Sequence, residues 1–569
     1  MVEVPVEPEW VEPEFDPGTV ESLAESLDCS SVLASVLVSR GYTDPVEAER
    51  ALDPAVEAIH SPAQLPDIDA IVSRLDAAVE RDEFVAVFSD RDVDGITGSA
   101  ILTSVFEDLG VSPVSRAPEK WDGYGVSEEH VAELVSEGVE LLVLVDCGTT
   151  AHDPIDQAID AGMDVVVIDH HDPEATLPAA SACVNPRRAD SEYPNLDLAA
   201  GALAWKVGQA FVEARAPLRI AEYHEMALPL AAVATLGDYM PLTVENRAIV
   251  REGFSRLSES DLPGLDQTVD HCGVESMRDI GWSLVPLLNA AQEAESGELM
   301  LELLLAEDAG EIEELIDRLE GYRADRRRQR AERLAHLEAC IDEQLDPSSV
   351  DVVFVETDQY VGGGPMSEVS SRWQRPVITY RRSDTGYRGG GRTAPDIDLL
   401  ELYEACDELL ETYWGHPGAA GFRVSEANLA PFKRRLTETL RTRYDPADLR
   451  PSIDVDATVE PTTLTPGLVE DFDRFGPYGS GHDEPIVLIE NVDIVSAEWF
   501  GSDDSHWKGI PGQGAGVTFI DWNGDVVESV GFPSGACDIA GTLSIDSFDG
   551  SVTVSVKAIR SASGETGPV

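Results

Sequence analysis

Residues 84–100 read FVAVFSDRDVDGITGSA. An apolar run, FVAVF, gives way to acids at Asp90, Asp92 and Asp94, then to Gly95 and a helix-like stretch, GSAILTSVFEDLG. The same rhythm returns in EEHVAELVSEG, ELLVLVD, PIDQAIDAG and DVVVIDHH. Short apolar β-branched runs alternating with amphipathic stretches at this spacing predict βαβ units and a parallel sheet with helices on both faces. The fold class expected is therefore α/β.

In such a sheet, ligands bind at the carboxyl ends of the strands, so residues that directly follow the apolar runs converge. Four such places carry metal-ligand chemistry: Asp90, Asp92 and Asp94; Asp146; Asp169, His170 and His171; and Asp238 in ATLGDYMPL. Alternate residues of an extended segment share a face, which would aim Asp90, Asp92 and Asp94 into one cleft. Gly95 would then turn the chain into a helix starting near Ile96. Carboxylates with imidazole and no thiolate suit Mn²⁺ or Mg²⁺ better than Zn²⁺. Packed like charges would drive some carboxylates to protonate. Two divalent cations about 3.5–4 Å apart relieve that and can steady both the attacking and the leaving oxygen of a phosphoryl displacement. A lone D-x-D-x-D is more often an acidic turn; its co-occurrence with the other strand-end groups is what points to a metal site.

Length and charge bound the rest. A chain of 569 residues holds three or four domains. It carries 108 acidic against 40 basic residues, a net charge of −68 spread along its length. Such self-repulsion opposes compaction unless salt screens it, and at 1 M the Debye length is only ~3 Å. The acidity therefore reads as halophilic adaptation, whereas a nucleic-acid mimic would gather its charge in one patch. Seven scattered cysteines without C-x-x-C suit a reducing interior and argue against zinc knuckles and disulfides. The start, MVEVPVEPEWVEPEFDPG, lacks the basic and apolar regions of a signal peptide, and no apolar run approaches the ~18 residues of a span. A cytoplasmic protein without membrane contact is expected.

The expected organisation is an acidic leader and helical segment over 1–83, an α/β domain over 84–309, one long connecting helix over 310–345, and a smaller α/β domain over 346–450. Short strands broken by Gly, Asp and Pro over 451–569 suggest a small β-barrel.

Specific motifs add a resemblance. They are SDRDVDGITG, VDCGTTAHDPIDQAIDAG, IDHHDP with CVNPRRADSEYP, LGDYMPL with ENRAIVREG, VPLLNAA, GGGRT, WGHPGAAGF and FGPYGSGHDEP. Together with the leader LVSRGYTDPVEAERALDP they resemble the DHH phosphoesterase superfamily, and within it the RecJ-type single-strand exonucleases, over roughly residues 30–560. The resemblance implies a DHH catalytic domain, a connecting helix, a DHHA1 domain that closes over the cleft, and an OB-like barrel that guides single-stranded nucleic acid. It carries Asp92, Asp94, Asp146, His170 and Asp238 over as ligands of Mn²⁺ or Mg²⁺, with Asp90 as the first acid of the motif. His171, with Asp169 beside it, is carried over as a catalytic group that contacts phosphate or moves protons. Gly390, Gly391, Arg392, Gly415 and His416 match the substrate-gripping face of the second domain.

The activity implied is hydrolysis of single-stranded DNA, 5′ to 3′, in repair or recombination, by a monomer. The alternatives are a nuclease for RNA or short oligonucleotides, and a protein of reduced activity associated with GINS and the replicative helicase. Small-substrate phosphatases share the first motifs but would not need the barrel. The chain departs from many relatives in PLLNAAQEA, where Leu287, Gln292 and Glu293 replace expected basic residues, and at Phe88, where His is common. Six arginines, Arg323, Arg326, Arg327, Arg328, Arg330 and Arg333, would contact phosphates or pair with acids along their helix. Concentrated salt weakens phosphate contacts, so Trp499, Phe500, Trp507 and Trp522 are candidates for stacking on bases or for the barrel's core.

Overall fold

The computed structural model describes residues 8–54, 56–293, 297–346, 350–393, 397–444, 452–501, 505–513, 516–530, 536–546 and 549–562; residues 1–7 of the leader lie outside them. The chain forms two compact units. One comprises Asp44–Arg326 with Asp473–Glu484, the other Met1–Thr43, Arg327–Phe472 and Pro485–Val569.

The first unit is built on five parallel strands, in spatial order Val114–Arg116, Val85–Ser89, Leu141–Val145, Asp164–Ile168 and Ala182–Val184. The three central strands are apolar because both faces are covered. Period-two alternation sends Val85, Val87, Val143, Val145, Val166 and Ile168 into a core shared with the helices Val93–Asp108, Ala200–Arg215 and Ile220–Gly237. Ala86, Phe88, Leu142, Leu144, Val165 and Val167 enter a second core under the helices Glu128–Glu137 and His152–Asp160. Phe88, 1% exposed, thus packs on the far side of the sheet against His130, at 4.9 Å between ring centres. Strand order reverses between Val85–Ser89 and its neighbour Leu141–Val145, and a crevice opens at such a switch point.

Glycines let the helices over the first core approach closely. A Cβ on Gly98 would lie 2.7 Å from Val145 Cγ1, and one on Gly201 2.6 Å from Ala234 Cβ. The 36-residue helix Ala309–Gln344 runs from this unit into the other.

The second unit holds two sheets. A mixed sheet orders Thr412–His416, Ala419–Val424, Gly386–Arg392, Val377–Ser383 and Val353–Glu356. A seven-stranded sheet orders Ala457–Val459, Val487–Val492, Cys537–Ile545, Val552–Ser561, Val517–Asp521, His506–Pro511 and Ile494–Phe500. The leader is bound into this unit: Glu9–Val11 pairs in parallel with Ser452–Asp454, and Arg40 grips Asp456 through Nε (2.9 Å) and Nη2 (3.1 Å). No single helix among the described residues is long and apolar enough to cross a membrane.

Candidate metal centre

Register sets the floor of the site. Ser89 pairs with Val145 and Val145 with Ile168, so the next residues, Asp90, Asp146 and Asp169, form one row. Their amides continue the ladder: Asp90 N donates to Val145 O (3.3 Å), Asp146 N to Ile168 O (2.9 Å) and Asp169 N to Val184 O (3.0 Å).

The D-x-D-x-D segment departs from the extended geometry expected of it. The helix starts at Val93, three residues before Ile96, and Asp92 is its N-cap, with Oδ1 accepting from Asp94 N (3.0 Å) and Gly95 N (3.1 Å). An N-capping carboxylate satisfies amides that would otherwise lack partners, which favours helix over strand here. Asp94 lies inside the first turn, and both its oxygens accept amides at the start of another helix, from Ala200 (2.8 Å) and Gly201 (2.7 Å). Gly95 is required for space and not for a turn, since a Cβ there would lie 2.5 Å from Asp90 O. Asp238 is the C-cap residue of Ile220–Gly237.

These elements bring the predicted ligands together. His170 Nε2 lies 3.3 Å from Asp146 Oδ1, 3.6 Å from Asp238 Oδ2 and 3.7 Å from Asp94 Oδ2. Candidate ligand atoms of Asp90, Asp92 and Asp146 lie within 4.8 Å of one another, as do those of Asp94, His170 and Asp238. Asp146 Oδ1 and His170 Nδ1 are buried without a hydrogen-bond partner. A buried acceptor and a buried imidazole without partners, inside a ring of carboxylates, fit a hard divalent cation.

Electrostatics agree. Burial, reinforced by the neighbouring carboxylates, raises the pKa of Asp90, Asp94 and Asp146 above the usual range and pushes Asp238 up to about 6. Burial, together with the His171 charge, lowers His170 to about 4, so it is a neutral donor at physiological pH. His171 behaves oppositely. Burial disfavours its charged form, but the hydrogen bond to Asp169 and the surrounding carboxylates outweigh this and raise its pKa.

Asp169 is 1% exposed and accepts from Thr149 N (2.9 Å), His170 N (2.7 Å) and His171 N (3.2 Å), besides meeting His171 Nδ1 at 2.8 Å. A carboxylate so placed orients the His171 ring and favours a proton on Nδ1. Three further residues, Tyr124, Thr149 and Asn185, carried no role in the sequence reading. Tyr124 donates to Asp146 O (2.7 Å) and lies 3.0 Å from His171 Nδ1. Asn185, fully buried, donates to Thr149 Oγ1 (3.0 Å) and His171 O (2.9 Å). Asn185 stands directly after an apolar run, in CVN, and that position was a usable signal.

The residues expected to grip the strand, and the aromatics of the last domain, lie in the other unit. Gly390, Gly391 and Arg392 pair across Ala419–Val424 with Gly421, Ala420 and Ala419, and that strand pairs on its other edge with Gly415 and His416. His416 is exposed, and Arg392 Nη1 donates to Gly391 O (2.9 Å). Trp507 is core, 3% exposed, because strand alternation turns it inward, whereas Trp499 (40%) and Trp522 (51%) are open to solvent. Leu287 is fully buried, and Gln292 Nε2 donates to Asn289 Oδ1 (3.0 Å).

The profile of the DHH family N-terminal domain matches residues 84–236, and that of the RecJ OB domain matches 455–559. The single-stranded-DNA-specific exonuclease RecJ of Dickeya dadantii (strain 3937) is 30% identical over 498 residues, covering 82% of this chain and 84% of that protein. The chain belongs to the RecJ family. The family's Bacillus subtilis (strain 168) member, described in the same words, is 26% identical over 544 residues, covering 94% of this chain and 68% of that protein. Among solved structures, RecJ in complex with Mn²⁺ from Thermus thermophilus matches with a TM-score of 0.77 at 25% identity, covering 99% of this chain and 81% of the other. A second, exonuclease RecJ bound to manganese, matches with a TM-score of 0.55 at 30% identity, covering 67% and 96%.

Proposed function

We propose that this RecJ family member is a metal-dependent phosphodiesterase that degrades single-stranded DNA from its 5′ end in repair or recombination. The observation that carries the reading is the gathering of three overlapping three-ligand sets, Asp90/Asp92/Asp146, Asp94/His170/Asp238 and Asp146/His170/His171, at the carboxyl end of the sheet. Mn²⁺ or Mg²⁺ held there would lower the pKa of a water and offset the charge that develops on the phosphate. His171, kept protonated by Asp169 and 44% exposed at its side chain, is placed to contact the phosphate or to give its proton to the departing sugar oxygen. Tyr124 holds the backbone of the Asp146 turn and limits the swing of the His171 ring. Gly390, Gly391, Arg392, Gly415 and His416 are read as the strand-binding face of the other unit. The complete ligand set favours an enzyme over a scaffold. The net charge of −68 is read as adaptation to concentrated salt.

Strands labelled at the 5′ or 3′ end, DNA and RNA in parallel, incubated with Mn²⁺ in molar KCl, test this. Stepwise release of 5′ mononucleotides from DNA, abolished by Asp94→Ala, is expected. Absence of release from any strand, or full activity of Asp94→Ala, would sink the reading. Faster turnover of RNA would move it to the RNA alternative.

A further inference from the structure

The two most exposed aromatic rings among the described residues, Trp121 and Tyr239, each 78% exposed, both belong to segments tied to the metal centre. Tyr239 directly follows the candidate ligand Asp238. Trp121 lies in the segment Glu119–Gly125, whose far end is pinned to the centre: Tyr124 Oη donates to Asp146 O (2.7 Å) and Gly125 N to Asp90 Oδ1 (3.2 Å). Lone exposed rings are ordinary on protein surfaces. Tyr239 is different because of its backbone.

The helix Ile220–Gly237 ends in a turn in which Tyr239 N donates to Leu236 O (3.4 Å) and Met240 N to Thr235 O (3.2 Å). This closure needs one residue in the left-handed region, the place usually taken by glycine. The chain does so at Gly138 (φ 88°) and Gly273 (φ 61°), which stand past the helices Glu128–Glu137 and Pro263–Cys272. After Asp238 it places a tyrosine instead, at φ 52°. Nine described non-glycine residues have such φ values; seven are Asp or Asn, which tolerate them, and Tyr239 is the one aromatic. Strain of this kind persists where the surroundings impose it. Here they do: Met240 is buried, and Leu242 N donates to Ser480 O (2.7 Å). The ring offsets none of the strain inside the fold, because it lies in solvent.

We propose that Tyr239 is a base-stacking residue, its ring supporting the base of a nucleotide whose phosphate enters the metal centre, with Trp121 offering a second ring to a neighbouring base. The inference rests on the nuclease reading for the identity of the strand, while the role of the ring rests on the strained turn. Stacking suits this chain. A net charge of −68 and a ring of carboxylates at the site repel a polyanion, whereas a neutral ring takes the π-face of any base.

The test uses the full chain and a fluorescent DNA 20-mer, with affinity read by anisotropy in EDTA and molar KCl, where phosphate contacts are screened. Strands carry either all their bases or a single abasic residue at one of the three positions nearest the 5′ end. Removing the base that stacks on Tyr239 should weaken binding about 5–100-fold. Tyr239→Asn should weaken binding of the intact strand by the same factor and become indifferent to that abasic position. It should also melt at least as high as the wild type, because asparagine tolerates the left-handed turn. Tyr239→Phe, which keeps the ring, should bind like the wild type, and Trp121→Ser should lose its sensitivity at a different position. Full affinity of Tyr239→Asn would overturn the proposal, as would an equal loss in Tyr239→Phe, which assigns the effect to the hydroxyl. A Tyr239→Asn chain that melts earlier would show the ring to be structural and would also overturn it. Full affinity of Trp121→Ser would overturn the assignment of the second ring. Because binding is read without turnover, a wild-type chain that binds and cuts nothing counts against the nuclease reading alone.

Discussion

Stripping the metal should make this protein less stable as the pH rises through the acidic range, the reverse of what paired surface carboxylates do. Asp90, Asp94, Asp146 and Asp238 all have raised pKa values, first from burial and then from one another or from Asp92. A carboxyl raised in the folded state binds more protons folded than unfolded, so stability falls as pH climbs from the unfolded value through the folded one. For Asp238, pushed up to about 6 from an ordinary 3.8, the window is about pH 4 to 6. That difference corresponds to about 3 kcal/mol. Its side chain is 30% exposed, so solvent screening leaves about 2 kcal/mol. Mn²⁺ removes the penalty and adds ~2.7 kcal/mol for each ion present at a hundred times its Kd. With two ions the rise in Tm at pH 7 should be on the order of 10 °C. Thermal melts followed by circular dichroism in molar KCl, from pH 5 to 8, in EDTA and in excess MnCl₂, measure both effects. In EDTA the Tm should fall between pH 5 and 7, and the Mn²⁺ increment should shrink below pH 6, where protons compete for the ligands. Asp146→Asn should raise the EDTA Tm and abolish most of the Mn²⁺ increment. An EDTA Tm that is flat or rising over pH 5 to 7, or an increment independent of pH, would refute the electrostatic account of the centre.

Three further outcomes are expected. Asp169→Asn should lower kcat about 10–100-fold, because His171 loses the group that orients it. It should also move the alkaline limb of the pH–rate profile to lower pH, since Asp169 is what raises the His171 pKa; an unmoved limb would detach His171 from proton transfer. Gly95→Ala should destabilise by about 1–3 kcal/mol in urea melts, since the new Cβ meets Asp90 O at 2.5 Å. In the seven-stranded sheet, Trp507→Ala should cost about 3–5 kcal/mol of stability. Trp522→Ala should leave the melt nearly unchanged and weaken single-strand binding by about 1–3 kcal/mol if the exposed ring stacks on a base. Titration with a DNA 20-mer separates the two.

The parallel sheet and the row of groups at its carboxyl end were legible in the amino-acid order alone. Apolar β-branched runs with period-two burial are local signals, and a residue directly after such a run must emerge at the strand end. That is why Asp90, Asp146 and Asp169 could be named before any contact was known, and why the motif pattern pointed to the same family that the comparisons report. What local patterning could not carry was how each side chain is held. Asp92 and Asp94 were expected to alternate along an extended strand; they instead cap and enter a helix, because orphan amides at two helix starts offer carboxylates better partners than open backbone does. Trp507 and Trp522 read alike in sequence, but the first lies on the inward face of the strand His506–Pro511 and is buried, whereas the second stands in the turn just past Val517–Asp521 and is exposed. Tyr124 was beyond reach because its partners lie far away in sequence, and Asn185 was marked only by its place after an apolar run, its partners being equally distant. Separations of 22, 36 and 47 residues, as between Tyr124 and Asp146, Asn185 and Thr149, and Tyr124 and His171, leave no periodic trace in the chain. The candidate ligands were a property of the sequence; the neutral His170, the proton held on His171 and the close approach of five carboxylates exist only once tertiary packing has removed water from around them.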